Sequence, residues 1–341
     1  MKIYDDKKTR CKVCGKATDN TVYIIKEMLN NTKEEFEYLE CPHCKSMQII
    51  DIPEDMGGYY NQNYYSMKDK GKLTKFFLYH LNMHYLKKDA IGTHLSYLID
   101  NNEELFNMIS CLLEKNKISY SSEILDIGCG SGSFLEELSE LGFKNLNGME
   151  PFIDEEISKK EFTIFKDFLG NFNPSKKYDL IFMKDSLEHM DNPYNNLSNA
   201  KKLLKEDGYM IITIPIKSEF FWRLYGTNWY QLDAPRHFIT FTLDGFKLLI
   251  KSLDLEIENI SFNSNAYAFI ISEEYSNDNP MYSKESFASR SHFKNIYNRK
   301  FKKINFQGEN VSFNYLNKKI KDLNEKQEAE HAIFLIRKSS K

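Results

Sequence analysis

Short runs of hydrophobic residues alternate with helical patterns through the central half of the chain. The apolar runs of four to six residues predict buried strands, and apolar positions three and four residues apart predict amphipathic helices between them. Strands that alternate with helices in this way are typical of an α/β fold built on a parallel sheet. The predicted strands are Ile124–Ile127, Asn145–Met149, Phe162–Phe165, Tyr178–Phe182, Tyr209–Ile214 and His331–Lys338, and the predicted helices include Phe134–Leu141, Tyr194–Lys205 and Leu243–Ser252.

A glycine-rich turn follows the first of these strands. Gly128, Gly130 and Gly132 stand at every second position, which lets the backbone turn tightly and lets a ligand approach without Cβ atoms in the way. The next helix begins near Ser133, so its unpaired N–H groups lie beside the turn. Asp126, which we expect at the mouth of the turn, would repel the pyrophosphate of a dinucleotide. The turn therefore favours a ligand with a cationic amino-acid end and a nucleoside end.

Acidic residues follow two further strands. Glu150 comes 22 residues after Gly128, at the end of the second strand, where an α/β unit places the acid that binds ribose hydroxyls. The alternative is a solvated loop acid. Asp185 follows the fourth strand and precedes a loop, 186–190, at the sheet edge where α/β proteins hold ligands. The three loops together predict one nucleoside site.

These motifs resemble those of class I S-adenosylmethionine-dependent methyltransferases over about residues 121–262. The resemblance implies a Rossmann-like sheet of seven strands, with the last strand antiparallel to its neighbours. It implies that Asp167 meets the adenine amino group and that Phe168 lines the base pocket, although Asp167 could equally cap the next turn. Cys129 belongs to the glycine turn, and its side chain is expected to pack. The predicted cofactor-binding residues are Asp126, Gly128, Cys129, Gly130, Gly132, Glu150, Asp167, Phe168 and Asp185.

Two Cys-x-x-Cys pairs near the start of the chain predict a zinc ribbon. Cys11 and Cys14 form one pair, Cys41 and Cys44 form the other, and 26 residues separate them. Each pair places two thiolates on one side of a tight turn, so the two turns supply a tetrahedral set of four sulfurs for structural zinc. Two disulfides or a redox dithiol are the alternatives. The two disulfides are disfavoured because the polar, charged start lacks a signal peptide, which also predicts a cytoplasmic location.

A tyrosine-rich segment and a helical cap are predicted between the ribbon and the sheet. Tyrosine combines apolar area with a hydroxyl, which suits a pocket wall, so Tyr64 and Tyr65 are candidates for contact with the methyl acceptor, and Tyr64 also for catalysis. A hinge packed on the sheet edge is the alternative. The predicted divisions of the chain are 1–56 for the ribbon, 57–120 for this segment and the cap, 121–265 for the core with a lid at 216–242, and 266–341 for a basic helical insertion and the final strand.

The lid segment contains both tryptophans of the chain and a Pro-Arg-His sequence. It resembles a segment that lies over the acceptor pocket in bacterial methyltransferases with a zinc ribbon, a subgroup that includes sugar C-methyltransferase-like proteins. Trp229, Tyr230 and Arg236 are therefore predicted acceptor contacts, although the aromatic side chains could simply exclude water. His237 is the first candidate for the catalytic base and His189 the second, because imidazole titrates near neutral pH.

Composition and charge restrict the function classes further. The chain has 341 residues and a net charge of −3, and no run of about 18 apolar residues predicts a membrane span. The charge gives no general attraction to nucleic acid or anionic lipid. The segment 284–321 is basic, with ten Lys and Arg residues against two Glu, and is interpreted as a solvated helix face or a contact for phosphate.

The predicted reaction is in-line methyl transfer from S-adenosylmethionine to a small molecule or a carbohydrate, including a nucleotide-linked sugar or surface glycan. The protein would contribute mainly by aligning acceptor, methyl and sulfur. Two alternatives stay open: an RNA methyltransferase that grips nucleic acid with the ribbon, and a non-catalytic binding module with a degenerate sheet. The near-neutral ribbon disfavours the first, and the intact glycine turn disfavours the second.

Overall fold

The structure is a computed structural model, and it describes residues 10–16, 21–60, 83, 86, 103–283, 286 and 303–339. Tyr64, Tyr65 and most of the predicted helical cap lie outside the described residues. The strands are β1 Thr21–Lys26, β2 Glu35–Glu40, β3 Met47–Ile49, β4 Glu123–Ile127, β5 Asn145–Met149, β6 Ile157–Ser158, β7 Phe162–Phe165, β8 Tyr178–Lys184, β9 Leu204–Pro215, β10 Ile239–Thr240, β11 Leu255–Phe262, β12 Lys303–Phe306, β13 Glu309–Ser312 and β14 His331–Lys338. The α-helices are α1 Glu103–Glu114, α2 Ser133–Glu140, α3 Pro193–Leu203, α4 Glu219–Tyr225, α5 Leu243–Ser252, α6 Tyr267–Ser276 and α7 Phe313–Glu325.

The central sheet confirms the predicted α/β fold. Its strand order is β11-β14-β9-β8-β4-β5-β7-β6, and strands β7, β5, β4, β8 and β9 run parallel. Strand β14 is antiparallel to both of its neighbours, as expected for the last strand. The two-residue strand β6 adds an antiparallel edge, so the sheet has eight strands rather than seven. The strand order reverses between β4 and β8, and open α/β sheets bind ligands at such a point.

The zinc-ribbon segment is joined to the lid by a shared sheet. Strands β1, β2 and β3 form an antiparallel meander, and β10, from the lid, pairs with β3 through Ile239 opposite Gln48 and Thr240 opposite Met47. Buried residues of the ribbon, such as Tyr38 and Met47, belong to the same hydrophobic cluster as buried residues of β8 and β9. The division that we placed at residue 56 therefore separates the chain in sequence but not in space.

Two local predictions differ from the structure. Strand β9 begins at Leu204, five residues before the predicted start, because helix α3 ends at Leu203 and the chain continues directly in extended form. Strands β12 and β13 form a hairpin where we expected helix. Gln307 and Gly308 connect these strands with φ values of 52° and 83°, and a two-residue turn with two positive φ angles favours a hairpin.

The predicted bounds of the helix Leu243–Ser252 are confirmed by α5. Thr242 caps helix α5, because its hydroxyl accepts a hydrogen bond from the Gly245 N–H at 3.0 Å. Among the described residues, no helix is long and apolar enough to cross a bilayer.

Candidate active site

The glycine turn after β4 has the backbone geometry that the sequence predicts. Gly128, Gly130 and Gly132 have φ values of 77°, 53° and 83°, a region that side chains with a Cβ rarely adopt. A Cβ on Gly128 would lie 2.6 Å from the Cβ of Ser186, in the loop after β8. A Cβ on Gly132 would lie 2.7 Å from Cδ1 of Ile164, on β7. Close packing against the loop after β8 and against β7 therefore requires glycine at both positions.

Glu150 is buried beside this turn and holds it in place. One carboxylate oxygen accepts a hydrogen bond from the Gly130 N–H and the other accepts one from the Phe152 N–H, both at 3.1 Å. Burial raises the pKa of Glu150, and the two N–H donors counteract part of that rise. Each oxygen keeps a second lone pair, so the carboxylate can still accept hydrogen bonds from a vicinal diol.

Asp126 lies within β4, so it stands behind the turn rather than at its mouth as we expected. It is 2% exposed, and its Oδ1 atom has no hydrogen-bond partner among the described residues. Burial raises its pKa to about 7, which Lys184 partly offsets and Glu150 reinforces. A buried acceptor without a donor is costly, and a cationic amino group in the crevice would supply the missing donor.

Two exposed aromatic rings stand next to Glu150. Phe152 is 75% exposed and Phe168 is 58% exposed, and their ring centroids are 6.0 Å apart in an edge-to-face arrangement. Large apolar side chains seldom stay this exposed side by side without a ligand. Asp167 accepts a hydrogen bond from the Phe168 N–H at 2.7 Å, which supports the turn-capping interpretation and leaves its adenine contact a prediction. Phe152 is not among the predicted cofactor-binding residues, although an aromatic residue directly after Glu150-Pro151 indicates a possible contact with the adenine ring.

Asp185 connects the end of β8 to β14. Its Oδ1 accepts hydrogen bonds from Thr213 Oγ1 at 2.8 Å and from His331 Nε2 at 2.7 Å. Burial acts to raise the pKa of Asp185, but the charges of His331 and Lys184 outweigh it and hold the pKa below its usual range. The structure thus gives Asp185 a role in joining strands, and its contact with the cofactor stays a prediction.

His189 and His237, the two base candidates, lie against each other. Their ring centroids are 4.8 Å apart with an interplanar angle of 70°. The Nδ1 of His189 lies 2.8 Å from the Arg236 carbonyl oxygen, and the Nδ1 of His237 lies 2.7 Å from the Gln231 carbonyl oxygen. A carbonyl only accepts, so each Nδ1 carries the proton and each Nε2 keeps its lone pair.

Burial favours the neutral form of both imidazoles. Burial and the neighbouring His237 together lower the pKa of His189 to about 3. Burial likewise lowers the pKa of His237, against a smaller opposite effect from Asp233. His237 is 3% exposed, whereas His189 is half-buried and also contacts the Tyr60 hydroxyl at 3.2 Å. Tyr60 lies in the tyrosine-rich segment, but the sequence did not single it out.

The carboxyl group of Glu188 is the third titratable group at this place. Glu188 is 1% exposed, and its Oε2 atom has no hydrogen-bond partner among the described residues. Burial raises the pKa of Glu188 well above its usual value, and the negative charge of Asp185 adds to the rise. One ring nitrogen of His189, one of His237 and one oxygen of Glu188 all lie within 4.8 Å of one another.

Arg236, predicted to contact the acceptor, is fully buried in an ion-pair network. Its guanidinium donates to Glu27 of the ribbon at 3.0 Å and to both oxygens of Asp233. The two carboxylates outweigh the effect of burial and raise the pKa of Arg236. Tyr38, also of the ribbon, donates its hydroxyl hydrogen to the His237 carbonyl at 3.0 Å. The structure therefore gives Arg236 the task of fixing the lid to the ribbon, and its acceptor contact stays a prediction.

The lid aromatics are also held internally. Trp229 is 1% exposed and donates to Glu330 at 2.6 Å, and the half-buried Tyr230 contacts the other oxygen of Glu330 at 3.3 Å. Burial raises the pKa of Glu330 to about 7. This arrangement favours the interpretation that the lid excludes water, at least for Trp229.

The four cysteines of the ribbon meet as predicted. Cys11 Sγ lies 3.6 Å from Cys44 Sγ, and Cys14 Sγ lies 3.7 Å from Cys41 Sγ. Zinc–sulfur bonds of about 2.3 Å in a tetrahedron place sulfurs roughly 3.8 Å apart, which these distances match, and a disulfide needs only about 2.05 Å. Each pair is followed by a residue with positive φ, Gly15 at 72° and Lys45 at 57°. The residues present therefore fit a zinc-ribbon metal centre.

Comparisons with known proteins agree with this geometry. A family model described as a methyltransferase domain matches residues 97–260. A ubiquinone biosynthesis O-methyltransferase of Glaesserella parasuis is 30% identical over 115 residues, which cover 29% of this chain and 48% of that protein. The human EEF1A lysine methyltransferase 2 is 25% identical over 158 residues, which cover 43% of this chain and 63% of that protein.

A plant protein and a protein of known structure are also similar to this chain. An (S)-tetrahydroprotoberberine N-methyltransferase of Eschscholzia californica is 28% identical over 125 residues, covering 33% of this chain and 35% of that protein. The solved structure of a sarcosine dimethylglycine methyltransferase-like protein from Galdieria sulphuraria is 14% identical, covers 79% of this chain and 99% of that chain, and gives a TM-score of 0.43. The matches span about half the length of the curated relatives.

Proposed function

We propose that this chain, whose residues 97–260 belong to the class I S-adenosylmethionine-dependent methyltransferases, transfers a methyl group from that cofactor to a small-molecule acceptor. The observation that supports the proposal most is the glycine turn at the point where the strand order reverses. The turn is hydrogen-bonded to Glu150, and Asp126, on the strand before it, has a buried Oδ1 without a hydrogen-bond partner among the described residues.

Each part of the crevice suits one part of the cofactor. Asp126 would attract the cationic amino group, Glu150 would accept hydrogen bonds from the ribose hydroxyls, and Phe152 with Phe168 would enclose the adenine. When bound, S-adenosylmethionine supplies an electrophilic methyl group on a positively charged sulfur. The protein's own contribution is to hold the acceptor in line with that methyl group, which in favourable cases lowers the barrier by about 7–11 kcal/mol.

We propose that the histidine pair accepts the proton that leaves the acceptor. His237 stays our predicted base, with His189 second, and the structure supports both through a neutral ring with a free Nε2 lone pair. His189 is more exposed than His237 and contacts Tyr60, and both observations make His189 a stronger candidate for the base than the sequence suggested.

We also propose that the four cysteines hold a structural zinc ion. The ion would deprotonate the buried thiols and tie the two turns together. Since the ribbon sheet includes the lid strand β10, the zinc would stabilise the acceptor side of the site indirectly.

Calorimetric titration with S-adenosylhomocysteine tests the cofactor site. Glu150→Gln should weaken binding about 10- to 100-fold, because the amide NH₂ must face a backbone N–H donor and the charge is lost. Glu155→Gln, an exposed acid in the same loop, is the matched control and should bind like wild type. Wild-type protein that does not bind the ligand would support the non-catalytic alternative.

The acceptor class needs a separate experiment. The names of the relatives include a ubiquinone biosynthesis O-methyltransferase, a lysine methyltransferase and an (S)-tetrahydroprotoberberine N-methyltransferase. We propose a small-molecule acceptor, and the resemblance of the lid segment to that of sugar C-methyltransferase-like proteins extends the proposal to a carbohydrate. Labelled S-adenosylmethionine incubated with the protein and fractionated cell extract should label the small-molecule or glycan fraction. Label in the RNA fraction would instead favour the RNA methyltransferase alternative.

A further inference from the structure

The loop after β8 and the lid bring together a possible set of metal ligands that includes both base candidates. Glu188, His189 and His237 each place one potential ligand atom within 4.8 Å of the others. Among the described residues, this group and the four cysteines are the two sets with that property. Two imidazoles and one carboxylate are the ligands of many catalytic zinc sites and of non-haem iron sites.

Both imidazoles are oriented in the way that metal ligands usually are. A metal-ligating histidine nearly always donates its other ring N–H to a carbonyl or carboxylate, which fixes the tautomer and the ring. His189 donates from Nδ1 to the Arg236 carbonyl, and His237 donates from Nδ1 to the Gln231 carbonyl. Two rings fixed in the same tautomer each keep an Nε2 lone pair, and one nitrogen of each ring lies within 4.8 Å of the other and of a Glu188 oxygen.

Glu188 gives the second, independent observation. Its carboxyl group is 1% exposed and has an oxygen without a hydrogen-bond partner among the described residues, although His189 and His237 lie beside it. Neutral imidazoles that donate elsewhere cannot satisfy that oxygen. A cation placed between the three side chains would satisfy the carboxylate and both lone pairs at once.

We propose that Glu188, His189 and His237 bind one divalent transition-metal ion of the zinc or iron(II) type, separate from the ribbon metal. Three protein ligands leave at least one coordination position, which can take a hydroxyl or carboxylate oxygen of the acceptor. An acceptor hydroxyl bound in that way would have a lowered pKa and would release its proton to water, so the two imidazoles would act as metal ligands in place of the base proposed above. The role as an acceptor site rests on the proposed methyl transfer, whereas the metal binding itself does not.

Cobalt(II) separates the two metal sites spectroscopically. Full-length protein is stripped with a chelator and given one equivalent of Zn²⁺, which the four thiolates take first because they bind zinc strongly. It is then titrated with Co²⁺. Binding to His₂Glu should give visible d–d bands from a second equivalent of metal without the intense near-ultraviolet thiolate charge-transfer band.

The variants make the assignment specific. Glu188→Gln and His237→Gln should each lower the affinity for the second ion at least tenfold, and Glu206→Gln, an exposed acid, should leave it unchanged. Circular dichroism shows whether each variant is folded. Should His237→Gln unfold, Glu188→Gln alone still decides. Wild-type protein that binds no second equivalent at 1 mM Co²⁺ as the added concentration, or a folded Glu188→Gln that binds it normally, overturns the proposal.

S-adenosylhomocysteine titrations of the same samples keep this proposal apart from the proposed function. Ligand binding without a second metal would refute the metal site and leave methyl transfer intact. A second metal without ligand binding would establish the metal site and refute the cofactor proposal.

Discussion

The two sides of the candidate active site are assembled in opposite ways. The cofactor side comes from short, nearly continuous stretches: Asp126, the glycine turn and Glu150 lie within 25 residues of one another. The acceptor side needs Tyr38 from the ribbon, the loop at His189 and the lid at His237. One side is therefore specified locally, and the other exists only when three distant segments dock. A substitution on one side should therefore affect the function of that side more than the function of the other.

Loss of the ribbon metal should have the largest effect. Cys41→Ser removes one of four ligands, and the thermal midpoint should fall by about 10 °C or more. Structural zinc in finger peptides contributes on the order of 10 kcal/mol, and each kcal/mol shifts the midpoint about 2–4 °C in domains of 150–250 residues. Differential scanning calorimetry measures the change, and Cys111→Ser is the control outside the cluster. An unchanged midpoint would mean that the lid does not depend on the ribbon.

The buried Glu27–Arg236 pair should have the next largest effect. Glu27→Ala leaves a fully buried guanidinium with less compensation, which typically costs about 3–5 kcal/mol. Urea denaturation measures this loss, with the exposed Glu35→Ala as control. If the two sides are independent, the affinity for S-adenosylhomocysteine should change less than threefold in the folded variant. A larger change would show that the acceptor side also shapes the cofactor side.

Gly128→Ala tests the locally built side. The positive φ costs about 1–2 kcal/mol for alanine, and the 2.6 Å contact with Ser186 adds about 1–3 kcal/mol of overpacking. Affinity for S-adenosylhomocysteine should fall at least tenfold. Gly170→Ala is the control, because its Cβ would meet only one atom, at 3.9 Å. Equal affinities in the two variants would contradict the assignment of the turn.

The smallest effect expected is a pH dependence from Asp126. Its folded-state pKa of about 7 lies above the unfolded value of 3.8, so its contribution favours the folded state below pH 3.8 and is lost as pH rises through 7. A cationic ligand group should expel this proton. The affinity for S-adenosylhomocysteine should therefore rise between pH 5 and pH 7, by at most tenfold per unit.

Asp126→Asn provides the control for this pH dependence. The variant cannot release the proton, so its affinity should vary less with pH than that of wild type. Calorimetry in buffers of different ionisation enthalpy counts the released proton directly. A wild-type affinity that is flat across this range would mean that another group meets the cationic end of the ligand.

The sequence predicted the features that are built from neighbouring residues, and it did not predict those that are built from distant segments. Hydrophobic runs located six of the eight strands of the central sheet, all but β6 and β11, and the Cys-x-x-Cys spacing located both turns of the ribbon, because each depends on residues close in sequence. The Glu27–Arg236 pair joins residues 209 positions apart, and no local pattern marks it. For this reason Arg236 was predicted to contact the acceptor, and its ion pair between the lid and the ribbon was not predicted.

The missed hairpin and the histidine pair illustrate two different causes. Gln307-Gly308 was a readable turn signal that the basic charge of the segment obscured. The contact of His189 with His237 had no such signal, since it depends on how the lid sits on the loop after β8. Candidate residues of the cofactor site could thus be named from the sequence one by one, whereas the contacts between the lid and the loop after β8 are visible only in the structure.

The pairing of β10 with β3 limits how this chain can be recombined with its relatives. A chimera that imports only a foreign front segment, residues 1–56, would strand Ile239 and Thr240 without their hydrogen-bonding partners and would leave the Arg236 guanidinium facing an unmatched surface. Residues 1–56 and 233–242 depend on each other for these contacts. A chimera designed to change acceptor preference would therefore have to exchange both segments together.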